Sequence, residues 1–416
     1  MSRPITISRI LGAAVRNAHP SAAAVWVRDS LGLRRRPGDS AHHLAAAMGW
    51  LARAYDACGG RGIAGGYSLV DGWFAPYPET AGYLIPTFYD YAKFSREDAW
   101  RNRARSTAEW EIDVQMPNGA VQAGFYRGKG SKQVEAVFNT GQVILGWCRA
   151  FSETQDQKFL DAAVRAANWL TSVQSSDGSW PFASPETETT VHAYDVRTAW
   201  SLLEIFTLTK DERFANAAIK KLNWALREQQ ENAWFANNAF FTSADKWAVT
   251  FTHTIAYAME GFQESYRILL DARFLNAYSQ TAEKLMRIFE LRHFMAGDFD
   301  ENWKSSGQYA CLTGNAQISG VWLKHFQISH DARFLNSALK LNDETKSTQS
   351  LNALHGGIRG GIKGSQPITG KYCPLVYPNW AAKFFADTLM LEIEVMKALE
   401  PQLVEGPGLT LSIPNP

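Results

Sequence analysis

Asp271-Ala272-Arg273-Phe274 and Asp331-Ala332-Arg333-Phe334 are one four-residue phrase written twice, 60 residues apart. Upstream it recurs as Asp211-Glu212-Arg213-Phe214 and Asp156-Gln157-Lys158-Phe159, with a looser copy at Glu97-Asp98-Ala99-Trp100. The aromatic members stand at 100, 159, 214, 274 and 334, so the spacings are 59, 55, 60 and 60 residues. Self-similarity at a near-constant period marks a repeat architecture in which each copy is one supersecondary unit. Each copy opens a helix with apolar residues at helical spacing, as in Phe159, Leu160, Ala163, Ala166, Ala167 and Leu170.

A second helix precedes each copy. The pattern predicts these helices over 79–94, 139–154, 194–209, 253–269, 313–328 and 379–397, all apolar or small on several sides and therefore buried. A helix over 41–57 supplies an outer partner before the first buried one. Six buried and six outer helices in alternation make six hairpins, and hairpins that bury a face against each neighbour can close into a ring. The expected fold is all-α: an (α/α)6 toroid over 40–400, with an Arg-rich N-terminal extension over 1–39 and a tail over 401–416. An open solenoid is the structural alternative.

The connections favour closure. Buried to outer helix takes a few residues, whereas outer to next buried helix takes the long stretches 58–78, 115–138, 174–193, 230–252, 291–312 and 344–378. Long structured loops usually carry function, and all six precede buried helices, so one face of the ring is expected to bear an elaborated mouth. Its aromatics include Trp73, Tyr126, Trp180, Trp303, Tyr372 and Tyr377, flat faces suited to stacking on sugar rings.

Counting back from each aromatic marker lands on Glu79, Asn139, Asp195, His253 and Thr313, the first-turn positions of successive buried helices. A closed ring brings these together with Tyr83, Tyr194, Asn315, Asn379 and Trp380. Carboxylate, histidine and tyrosine in one pocket are the raw material of acid–base chemistry; the plainer reading makes the acids and Asn139 helix-end residues. Asp300, in the acidic run Asp298-Phe-Asp-Glu301, and Asp71, beside Trp73, are further candidate carboxylates. Arg127, Lys129 and Arg359 belong to loops, 116–133 and 355–378, that hold basic residues and no acid, a setting that would favour an acidic sugar.

Composition narrows the classes. Of 416 residues, 46% are hydrophobic, and 42 Lys+Arg balance 41 Asp+Glu for a net charge of +1, which argues against a polybasic nucleic-acid binder. No apolar run approaches the roughly 18–20 residues of a membrane span, and the start of the chain lacks the apolar core of a secretory signal. Four scattered cysteines without a CxxC pair read as free thiols in a reducing, cytoplasmic setting. No HxxxH, HExxH or Cys/His cluster suggests a metal, and the Gly-rich run at 356–361 lacks the ending of a phosphate loop, so neither metal nor cofactor is expected. The sequence is silent on oligomeric state.

The alternating hairpins, with the turns Gln174-Ser-Ser-Asp-Gly-Ser-Trp180 and Gln115-Met-Pro-Asn-Gly119, resemble the toroids of six-hairpin glycosidases, related polysaccharide lyases and glucuronyl C5-epimerases and, more distantly, terpenoid cyclases. The stretch from Asn139-Thr-Gly-Gln142 to Lys158-Phe-Leu160 is similar to a hairpin of the C5-epimerases. The resemblance implies a carbohydrate-active enzyme working on an oligo- or polysaccharide, as in exopolysaccharide-type metabolism. It transfers no catalytic residue. The leading expected reaction is glycosidic hydrolysis by two carboxylates drawn from Glu79, Asp195, Asp300 and Asp71. The rival is proton abstraction at a uronate by Tyr194, Tyr83 or His253, giving a lyase or an epimerase. A non-catalytic glycan scaffold and a terpenoid cyclase complete the alternatives.

Overall fold

A computed structural model describes residues 20–128, 130–181, 191–240 and 249–405. The inner helices are α3 (Pro78–Ser95), α5 (Val137–Thr154), α7 (Val196–Thr209), α9 (Thr252–Leu269), α11 (Leu312–Ser329) and α13 (Asn379–Glu405), and α7 is led in by a 3-10 turn, Ala193–Asp195. The outer helices are α2 (Ser40–Asp56), α4 (Asp98–Val114), α6 (Gln157–Ser172), α8 (Glu212–Arg227), α10 (Ala272–Arg292) and α12 (Ala332–Thr348). A short helix, α1 (Pro20–Ser30), precedes the ring and is pinned to it by Asp29, which pairs with Lys363 Nζ at 2.7 Å.

The recurring phrase has a local physical meaning. Asp156, Asp211, Asp271 and Asp331 are N-caps whose carboxylates accept the backbone N–H two residues on, which satisfies a donor that the first helical turn leaves unpaired. The arginines of the last three copies fold back onto their own cap at 2.6 Å. Phe159, Phe214, Phe274, Phe334 and Trp100 are buried where outer helix meets inner.

Each inner helix packs on the next, and α13 packs on α3, so the ring is closed. Five hairpins run from an inner helix to the outer helix that follows it. The sixth is built differently from the expectation that the 41–57 helix partners the first buried one: α2 lies against α13, the first ring helix against the last. Trp50 Nε1 donates to Gly357 O at 2.8 Å across this seam, and His43 Nδ1 meets Gln349 Oε1 at 2.5 Å.

The long loops are stitched to one another by short antiparallel strands, which an all-helical pattern does not announce. They are β1 (Gly66–Ser68), β2 (Gly72–Trp73), β3 (Thr250–Phe251), β4 (Asp298–Phe299), β5 (Ala310–Cys311), β6 (Ser365–Gln366) and β7 (Val376–Pro378). The sheets β2-β1-β7, β3-β4 and β5-β6 join neighbouring loops, and β1 with β7 spans the seam.

The Gln-x-x-x-Gly turn anchors each loop to the next outer helix. Gln115, Gln174 and Gln229 donate from Nε2 to the carbonyls of Ala162, Ala217 and Ala277 at 3.0, 2.9 and 2.7 Å. The third copy escapes the motif because Ala233, at φ 68°, stands where the other two have glycine. Gly178, at φ 93°, has Lys220 O only 2.4 Å from where a Cβ would sit. Gly178→Ala is therefore expected to cost about 1–3 kcal/mol, the scale of a strained backbone position, and an unchanged urea midpoint would contradict this account of the turn.

Candidate active site

On the loop face the starts of five inner helices and two loop residues, Tyr372 and Phe240, bring their rings together into an aromatic crater. Starting from α3, the Tyr77 ring meets Trp380 of α13 at 6.1 Å, and Trp380 Nε1 donates to the Tyr372 hydroxyl at 2.8 Å. Tyr372 lies 5.4 Å from the His253 ring, which stands 4.2 Å from Tyr257 one turn further along α9. Tyr257 continues to Phe138 at 4.8 Å, Phe138 to Tyr194 at 5.3 Å, Tyr194 to Phe240 at 5.7 Å, and Phe240 returns to His253 at 6.3 Å. Tyr77, Glu79, Phe138, Phe240 and Trp380 keep part of their surface in solvent, while His253, Tyr257, Tyr194 and Tyr372 form the buried floor.

Among the described residues, Glu79 is the candidate carboxylate that stands with these rings. Glu79 accepts a hydrogen bond from the Tyr77 hydroxyl at 2.8 Å. Burial, and then the Glu79 charge, push the Tyr257 hydroxyl far above the ordinary tyrosine range, and burial with Tyr257 and Glu79 does the same to Tyr83. Burial and neighbouring thiols likewise keep Tyr372 protonated. Burial lowers His253 to about 3, against the raising effect of its Gln317 hydrogen bond, so its imidazole is neutral. The site thus offers a neutral nitrogen base beside hydroxyls that hold their protons.

The other sequence-derived candidates have different duties. Asn139 Nδ2 donates to Gln122 O at 3.0 Å, and Asn379 Nδ2 to Ala64 O at 2.9 Å and Thr80 Oγ1 at 2.8 Å, so both tie loops to helix starts. Asn315 is buried with its amide unpartnered. Asp195 is buried with Oδ2 3.6 Å from His192 Nδ1, and its charge supports the buried Lys221 of α8. Asp300 Oδ1 closes a turn by accepting from Asn302 N and Lys304 N at 2.9 and 2.8 Å. Asp71 is exposed beside β2, 3.3 Å from Ser68 Oγ. The aromatics proposed for stacking mostly build the loop wall. Trp180 and Trp303 are buried, with indole N–H groups on Leu170 O and Asn232 O. Trp73 packs on Trp50 and Tyr67, and Tyr126 on Trp110. Arg127 and Arg359 are exposed, and Lys129 lies outside the described residues.

Sequence reasoning passed over Tyr257, Arg197, Glu260 and Gln317, although a signal existed. Tyr257 and Glu260 follow His253 by four and seven positions, and Gln317 follows Thr313 by four, all the same helix face. Beneath the crater floor lies a cavity of about 970 Å³, in the half of the ring opposite the long loops, where none was expected. Tyr83, Arg197, Glu260, Gln317, Lys383 and Asp387 line it. Several of its charges are paired: Lys383 Nζ meets Asp387 at 2.5 Å, and Lys324 Nζ and Arg267 Nε meet Glu264 at 2.5 and 2.7 Å. Burial alone would raise Glu264, but Lys324 and Arg267 hold it at about 2 against an ordinary 4.5. Because the folded value is depressed, this contribution is complete above pH 4.5 and disappears as the pH falls through about 2. Glu264→Gln is accordingly expected to lower stability at neutral pH and to flatten its decline in that acid window, as read by thermal melts. An unchanged acid limb would refute it.

With this geometry in hand, the comparisons take their place. The sequence matches no family model and, at a significant level, no curated protein. The fold does match solved structures. An unsaturated glucuronyl hydrolase specific for heparin superposes with a TM-score of 0.68 at 13% identity, over 85% of this chain and 97% of that one. The unsaturated glucuronyl hydrolase of a Bacillus species, responsible for glycosaminoglycan degradation, gives 0.66 at 16% identity, over 86% and 97%. The cellobiose 2-epimerase of Bacillus thermoamylovorans gives 0.64 at 11% identity, over 83% and 96%. The chain thus has the six-hairpin (α/α)6 toroid fold of these sugar enzymes. Among the described residues no group of three or more His, Cys, Asp and Glu is placed to hold a metal, and no helix is long and apolar enough to cross a membrane.

Proposed function

We propose that the protein is a carbohydrate-processing enzyme that receives an oligo- or polysaccharide in the aromatic crater and moves a proton on the sugar there. The observation that carries this reading is the grouping of His253, Tyr372, Tyr257 and Glu79 among half-exposed rings. Flat rings at the starts of five inner helices match the apolar faces of pyranoses, while Glu79 and the ring hydroxyls meet sugar hydroxyls. Nε2 of His253 has no hydrogen-bond partner among the described residues and is the base. Tyr372, whose oxygen accepts from Trp380, is the acid in this reading.

Of the four candidate carboxylates Glu79 stands among the crater rings, while Asp195 lies behind Tyr194 against the His192 ring, which favours lyase- or epimerase-type chemistry over a carboxylate pair. The second reading, glycosidic hydrolysis with Glu79 as the acid, draws support from the glucuronyl hydrolases that share the fold. An acidic substrate suits the exposed Arg127 and Arg359, and four free thiols suit a cytoplasmic setting. The deciding experiment incubates the protein with uronate-containing and neutral oligosaccharides, cellobiose included, in heavy water. Deuterium entering a sugar carbon, or an unsaturated uronate product, supports proton abstraction. New reducing ends without either would move the assignment to hydrolysis, and silence throughout would sink the enzymatic reading.

A further inference from the structure

A line of hydrogen bonds crosses the ring directly under the crater. Arg197 Nε of α7 donates to Gln142 Oε1 of α5 at 2.6 Å, and an Arg197 terminal nitrogen donates to Glu260 Oε2 of α9. Gln317 Nε2 of α11 donates to that same Glu260 oxygen at 3.3 Å, and Gln317 Oε1 lies 2.6 Å from His253 Nδ1. Gln142, Arg197, His253 and Gln317 are buried, while Glu260 keeps part of its surface in the cavity below.

The donors and acceptors fix the whole line. A carboxylate only accepts and a guanidinium only donates, so Glu260, already taken by Arg197, must also be the acceptor toward Gln317. The Gln317 amide therefore points its NH2 at Glu260 and its oxygen at His253. Turning the amide over would set two oxygens against each other on one side and spoil the contact to the carboxylate. An oxygen acceptor 2.6 Å away places hydrogen on Nδ1, and a neutral imidazole then has its lone pair on Nε2.

We infer that Gln317 and Glu260 are positioning residues that hold His253 as the Nδ1–H tautomer and turn a bare Nε2 toward the crater, with Arg197 orienting Glu260. Their part in turnover rests on His253 being the base; their part in fixing the tautomer does not. The arrangement lets one face of a buried ring do chemistry while the other is held by a polar chain from three further helices.

The tautomer can be read without any substrate. In the full-length protein labelled with 15N-histidine, long-range proton–nitrogen spectra distinguish the two ring nitrogens, and His253→Asn assigns the signal. The expected wild-type pattern is Nδ1–H with unprotonated Nε2. Gln317→Met should shift His253 toward Nε2–H or a mixture, and Glu260→Gln, which frees the amide to turn over, should give a mixture. Should turnover be found, both variants should lower kcat about tenfold or more with little change in KM, as a wrongly held imidazole does. Nε2–H in the wild type overturns the inference outright, even if the variants do not fold. A tautomer unmoved in Gln317→Met overturns it as well. The expected spectra in a protein inert toward every sugar would uphold the tautomer lock and defeat the proposed reaction instead.

Discussion

His253→Asn is expected to lower turnover by about 10²–10⁴-fold, the range that a positioned acid or base contributes, while leaving glycan binding nearly intact. The ring is buried in the crater floor between Tyr257 and Tyr372, and an asparagine fills much of its place and can still donate to Gln317 Oε1. What it lacks is a basic nitrogen at the Nε2 position. Tyr372→Phe should fall by a similar factor, because it removes the hydroxyl proposed as the acid. Glu79→Gln should retain much more activity. Deuterium exchange at the sugar carbon and affinity from calorimetry separate the two effects. The reverse order, with Glu79→Gln inactive and His253→Asn active, would assign the chemistry to a carboxylate.

Glu392→Ala should be the most damaging single change outside the crater. Glu392 is buried on α13, where its carboxylate accepts from Ser40 Oγ of α2, from Asn342 Nδ2 of α12 at 2.6 Å and from Lys346 Nζ at 2.9 Å. Lys346 is itself buried. Removing the carboxylate strands a buried ammonium with only the half-exposed Asp343, and breaking such a pair typically costs about 3–5 kcal/mol. The urea midpoint should fall by the corresponding amount, with amide exchange quickest in α2. Uniform exchange around the ring, or an unmoved midpoint, would show that this residue does not hold the seam.

Much of this architecture is legible in the amino acids because the repeat is written in residues with strong local roles. An N-cap Asp and a buried Phe mark four of the six outer helices within a residue or two, and the counting-back that selected Glu79, Asp195 and His253 does land at the starts of inner helices. Depth is what the pattern hides. Trp180 and Trp303 look like loop aromatics facing solvent until their indoles are seen bonded to carbonyls of the wall. Asp195 sits at the right height, yet its side chain supports Lys221 of an outer helix. Conversely, Gln317 and Glu260 read as ordinary polar residues of apolar helices, and only the closed ring brings them to His253. Tyr372 comes from a loop whose path is set by β5 and β6, and strands of two residues leave no periodicity to find.

The seam also sets the order of events on the ribosome. Ser40 and Glu392 touch although 352 residues separate them. At roughly 5–20 residues per second, the first ring helix waits roughly 20–70 s for the segment that will cover it. Throughout that interval Leu44, Ala47, Met48 and Leu51 have no final resting place. Nascent chains of this protein therefore carry an uncovered greasy strip until the segment around Glu392 has been made, which makes them natural clients of chaperones that shield such strips cotranslationally.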